Sequence, residues 1–149
     1  HLSLRRQRQM CIRDRSYVDQ AALVTRFDDD EIRALAPDGN GGIDARTVQR
    51  ACDDAAGEID GRLAAAGIET PMVPVPGAVA AIAADIARYR LYDDQVSDAV
   101  KGRYDDAMRF LLGVSRGDIK LGQAATESPS SAGDVQFNDS RRVFRGGGF

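Results

Sequence analysis

"IDARTVQRACDDAAGEIDGRLAAAG", residues 43–67, decides how the rest of the chain is read. Val48, Cys52, Ala55, Ile59, Leu63 and Ala66 recur at steps of three and four, while arginines and aspartates take the opposite side. This is the 3.6-residue period of a helix with one apolar stripe. Asp44 stands at its head as an N-cap and Gly67 at its foot as a C-cap. Cys52 lies on the stripe, so it reads as a small buried hydrophobe rather than a nucleophile.

Such a stripe needs partners, and the flanking segments supply them. Upstream, "YVDQAALVTRF" (17–27) offers Asp19 as N-cap with Ala22, Leu23 and Phe27 on one side. In "DDDEIRALA" (28–36) the acids Asp28, Asp29, Asp30 and Glu31 suit the positive end of a short helix better than a metal site. Ile32 and Leu35 sit three apart, and Pro37 stops the helix. "PDGNGGID" (37–44) suggests a calcium loop through Asp38, Asn40 and Asp44. The pattern fails, because Ile43 stands at the glycine position and Gln49 where a bidentate glutamate is needed. It is also no phosphate loop, and a glycine-rich turn ending in the Asp44 cap accounts for every residue.

Downstream, Pro71, Pro74 and Pro76 make "IETPMVPVPG" (68–77) an extended, stiff crossing strap. "GAVAAIAADIARYRLY" (77–92) then puts Val79, Ile82, Ala83, Ile86 and Tyr89 on one stripe, with Ala80, Ala84 and Ala87 beside them for close helix approach. "SDAVKGRYDDAMRFLLGVSRG" (97–117) is capped by Ser97 and carries Val100, Tyr104, Ala107, Met108, Leu111 and Val114. The short "DDQV" between them predicts an antiparallel hairpin. In "DIARYRLY" (85–92), Tyr92 flanks the turn, and Asp85, Asp93 and Asp94 are within helical reach of Arg88 and Arg90. Arg88, Arg90 and Tyr92 are also candidate interface residues, because arginine and tyrosine are favoured anchors.

Composition bounds the rest. The 149 residues suit a single domain, and without tryptophan the core must be filled by aliphatic side chains. No stretch has the apolar length to cross a bilayer. The cysteines, Cys11 and Cys52, form neither a disulfide framework nor a metal pattern. The sole histidine, His1, leaves little room for histidine-based catalysis or a transition-metal site, and no cofactor is expected. Charge is uneven along the chain. Residues 1–16 are net +4, residues 17–117 hold eleven basic and eighteen acidic side chains, and residues 118–149 balance. The basic opening contains "MCIRDR", which resembles translated adapter read-through; a genuine basic arm for nucleic acid is the alternative, and the segment is set aside from the fold as a non-native extension. The expected organisation is therefore that extension (1–16), a helical domain (17–117) and a flexible tail (118–149). The tail is rich in Gly, Ser and polar residues yet carries Val135, Phe137, Val143, Phe144 and Phe149, candidate contacts to a neighbouring subunit. The fold expected is all-α, a small bundle with Leu23, Phe27, Ile59, Leu63, Ile82, Ile86, Tyr104 and Leu111 in its core.

Taken in order, "YVDQAALVTRF", "DDDEI", the glycine-rich turn, residues 43–63, "ETPMVPVP", "IAADIARYRLYDD" and "VKGRYDDAMRFLLGVSRGDIKLG" resemble the Mu-like phage family of small head–tail connector, or neck, proteins. The resemblance covers about residues 17–122 and weakly the closing "RRVFRGGGF". It implies a helical subunit of a homo-oligomeric ring below the portal protein, joined to a tail or tail-completion protein. DNA would be passing cargo, with no membrane partner and no catalytic residues. The expected location is the virion, with the host cytoplasm during assembly. An acidic body with no basic stripe fits a conduit that does not grip its cargo. Two rivals run against the same features: a helical DNA-binding or regulatory domain using "GGIDARTVQRAC", and an enzyme using Asp28 to Glu31 or Asp53 and Asp54.

Overall fold

The computed structural model describes residues 16–122, and the architecture there is all-α. Five helices follow in order: α1 (Gln20–Phe27), α2 (Asp29–Leu35), α3 (Ala45–Ala65), α4 (Gly77–Leu91) and α5 (Asp98–Arg116). Among the described residues there is no strand, only an isolated antiparallel bridge between Pro37 and Ile43.

Side-chain caps set most of the helix starts. Asp19 accepts from the Ala22 amide at 2.8 Å, Asp44 from the Arg46 amide at 3.1 Å, and Ser97 from the Val100 amide at 3.3 Å. Each satisfies an amide that the helix leaves without an internal acceptor. Asp28 serves two helices at once. Its own amide closes α1 on the Val24 carbonyl, and its carboxylate caps α2 at the Asp29 amide. That double duty places it at φ 83°, ψ 143°, a conformation that L-residues rarely adopt. At the other end of α3, Gly67 (φ 76°) reverses the chain so that the Ile68 amide returns to the Leu63 carbonyl at 3.0 Å.

The turn before α3 is the capped loop expected. Asp38 accepts from the amides of Asn40 and Gly42 at 2.7 and 2.8 Å, which folds the glycines around its own carboxylate. Those bonds also hold its carboxyl below the usual range. The strap between α3 and α4 crosses as a non-helical segment, as expected. It bends at residues 70–71 and 73–74 and pairs with no strand, since its prolines cannot donate to a ladder. The amide of Met72 instead donates to the Tyr17 hydroxyl at 3.2 Å.

α3, α4 and α5 pack on one another, and α1 lies across α3 and α4. Tyr104 reaches Glu58, and further along both helices Ser115 reaches the Arg62 carbonyl, so α3 and α5 run the same way. α4 returns between them. It is the most enclosed helix, burying Val79, Ile82, Ala83, Ala84, Ile86, Ala87 and Leu91, because alanines let three neighbours approach at once. Leu23, Ile59, Leu63, Ile86 and Leu111 are fully buried, with Phe27 and Ile82 nearly so. Cys52 is fully buried, and burial pushes its thiol up to about 12, the behaviour of an inert core residue.

Four placements on the apolar stripes are corrected. Tyr104 is half-buried at the rim, because its hydroxyl needs a polar partner that the core does not offer. Tyr89 is likewise only half-buried and stacks on Tyr104, with centroids 4.1 Å apart. Ala22 and Ala66 are exposed, Ala66 because α3 has already ended there.

Candidate functional site

The residues of "DIARYRLY" are brought together with two distant glutamates. Glu31, at the head of α2, accepts from Arg88 Nε at 2.6 Å and from the Tyr92 hydroxyl at 3.0 Å. The Arg88 guanidinium also lies over the Phe27 ring, 4.6 Å from its centroid. Glu58, midway along α3, accepts from Arg90 at 2.8 Å, from the Tyr104 hydroxyl at 2.9 Å and from Arg62 at 3.4 Å. Arg88 and Arg90 are two residues apart, so they leave α4 on different sides, one toward α2 and one toward α3.

This corrects the local pairing expected for those arginines. Asp93 and Asp94 are not their partners, and Asp85 is bridged instead by Arg103 of α5 at 3.8 Å. The reason is reach: a long arginine side chain at the end of α4 meets the adjacent helices sooner than the turn that follows. Glu31 and Glu58 were not distinguishable in sequence from other helix-surface acids. The one available signal was that Glu58 sits next to the apolar stripe of α3, one position before Ile59.

The electrostatics follow from burial and bonding. Burial alone would raise the Glu58 carboxyl, but the Arg90 and Tyr104 bonds outweigh it and hold it low. Glu58 in turn raises Arg90. Burial, then the bond to Glu58, raises Tyr104, and burial, then the bond to Glu31, raises Tyr92. Asp85 is the opposite case. Burial raises it more than Arg26, Arg103 and Arg88 lower it, and its Oδ1 is enclosed without a hydrogen-bond partner. At the N-terminal end, the Tyr17 hydroxyl donates to Asp60, and burial pushes it up to about 12.

Chemically these are clasps between helices. Among the described residues, no three His, Cys, Asp or Glu side chains are grouped to hold a metal ion. Nor is any helix there long and apolar enough to cross a membrane. The second notable surface is a groove of about 310 Å³ near the C-terminal ends of α3 and α5, lined by Arg62, Ala65, Ala66, Leu112 and Ser115. The tail candidates Val135, Phe137, Val143, Phe144 and Phe149 lie outside the described residues.

Two comparisons bear on identity. The profile of the family described as Bacteriophage Mu, Gp36 matches residues 17–139. The chain is also similar to the Mu-like prophage FluMu protein gp36 of Haemophilus influenzae, strain Rd. They are 31% identical over 108 residues, which is 71% of this chain and 75% of the relative.

Proposed function

The chain belongs to the bacteriophage Mu Gp36 family, and from that premise we propose that it is a structural virion protein, a subunit of the head–tail connector. In this reading the protein forms a homo-oligomeric ring below the portal, joins capsid to tail or tail-completion protein, and passes DNA through its bore. Family membership is the observation that carries the proposal.

The chemistry of the chain supports it. Residues 17–117 are net acidic, so counterion release gives them little hold on duplex DNA. A conduit benefits from a wall that repels its cargo. The polar side chains that the fold encloses clasp helix to helix: Arg88 and Tyr92 on Glu31, Arg90 and Tyr104 on Glu58. Such clasps suit a rigid part of an assembly.

Co-sedimentation tests the proposal. The full chain is mixed with capsids that carry a portal and with shells that lack one. It is expected to pellet with the first and remain in solution with the second. Equal recovery with both, or with neither, overturns the connector role. Retardation of duplex DNA in a gel by the same preparation would favour the DNA-binding rival instead.

A further inference from the structure

The C-terminal ends of α3 and α5 lie at the same end of the bundle as the strap, and the exposed large apolar side chains gather there. Val73 and Val75 on the strap, Leu112 on α5 and Ile119 just beyond α5 are all exposed. Leu112 forms part of the groove with Ala65, Ala66, Arg62 and Ser115. The groove has an apolar floor and a cationic rim. The cation in its lining is Arg62, on the α3 side. Arg62 is exposed.

An apolar floor beside a guanidinium group selects a short apolar segment flanked by acids. The part of the chain beyond Gly122 contains one such segment and one that fails the test. "DVQFND", residues 134–139, sets Val135 and Phe137 in alternation between Asp134 and Asp139. "RRVFR", residues 141–145, carries Val143 and Phe144 between arginines that Arg62 would repel. Resting on the ring reading above, we infer that the groove between α3 and α5 receives residues 134–139 of a neighbouring copy.

A closed ring needs this contact to be made to a neighbour rather than to self. After Gly117 the backbone turns back so that the Ile119 amide bonds the Gly113 carbonyl at 3.2 Å and the Ile119 side chain covers Gly113. Gly113 is on the flank of α5 turned away from Ser115, by the 100° step per residue of a helix. Leu121 then packs back against the core. Repeated around a closed rotation, a contact from one copy's tail to the next copy's groove is heterologous and generates a ring.

Cross-linking tests the assignment in full-length chains carrying Cys11→Ser and Cys52→Ala. One preparation has Leu112→Cys and a second Phe137→Cys; they are mixed, with light scattering reporting assembly alone and on portal-bearing capsids. A disulfide-linked dimer is expected, several-fold above that from Leu112→Cys mixed with Phe144→Cys. Arg62→Glu should weaken association several-fold, and Asp134→Arg with Asp139→Arg in the same chain should restore it. Association without the Leu112–Phe137 link overturns the groove assignment and leaves the ring standing. Failure to associate in any condition overturns both. Closure within one chain that carries both cysteines shows that the segment serves its own protomer, and the neighbour contact falls.

Discussion

At the scale of single residues, Glu58 and Asp85 are carboxylates at helix interfaces with opposite energetics. Glu58 receives three donors, and Asp85 has one oxygen enclosed without a hydrogen bond, facing Arg103 at 3.8 Å. Glu58→Ala should cost about 2 kcal/mol, the worth of hydrogen bonds to a charged group, measured by chemical denaturation at pH 7. Because its folded pKa lies below the ordinary 4.5, its contribution is whole above that value and drains away as pH falls through the lower folded value. Asp85 carries the other sign. Its folded pKa lies above the ordinary 3.8, so its penalty is absent below that value and sets in as pH rises through the folded pKa. Asp85→Asn should therefore leave stability unchanged or higher at pH 7 and make no difference near pH 3. A loss at pH 7 comparable with that of Glu58→Ala would show that Arg103 offsets the burial of Asp85 in full.

At the scale of elements, the junction of α1 and α2 and the enclosure of α4 make separate demands. Asp28 holds the junction at a positive φ while capping α2. Asp28→Ala loses the cap and keeps the backbone cost, so about 1 kcal/mol of stability should go. Asp28→Gly loses the same cap but relaxes the backbone, and should be the milder of the two by denaturant midpoint. The reverse order would mean that the junction imposes no conformational cost. In α4, Ile86 is fully buried amid three other helices. Ile86→Ala should cost about 2–5 kcal/mol, since the alanines around it leave little to collapse into the space. A change below about half a kilocalorie, the usual range of a surface substitution, would place Ile86 on an open face.

At the scale of the whole molecule, the body and the segment beyond it have different work in the proposed assembly. The helical body has its own core, with Leu23, Ile59, Leu63, Ile86 and Leu111 fully enclosed. A chain ending after Gly122 should therefore fold with an unchanged thermal midpoint, read by circular dichroism. The same truncation should lose self-association and bind portal-bearing capsids more weakly than the full chain. If it assembles on capsids as tightly as the full chain, contacts between copies lie on the helices. Should the truncated chain fail to fold, residues past Gly122 belong to the core, and the separation of body from tail is wrong.

The helices were legible in the sequence because their causes are local. A stripe such as Val48, Cys52, Ile59 and Leu63 repeats with the backbone's own period, and Asp19, Asp44, Ser97 and Gly67 act on amides or carbonyls within a few residues. The capped turn at residues 37–44 was legible for the same reason, since Asp38 accepts from the amides of its own turn. The partners of Arg88 and Arg90 were not legible. Glu31 and Glu58 lie 57 and 32 residues away, and only the packing angles of α2, α3 and α4 bring them within reach. The same holds for Tyr104: its spacing marks the apolar stripe of α5, while its place at the rim depends on where α3 presents Glu58. Periodicity thus set which residues are helical and which face is apolar, because those depend on near neighbours along the chain. Tertiary structure alone decided which charge meets which, because an ion pair between helices depends on distances that no spacing encodes.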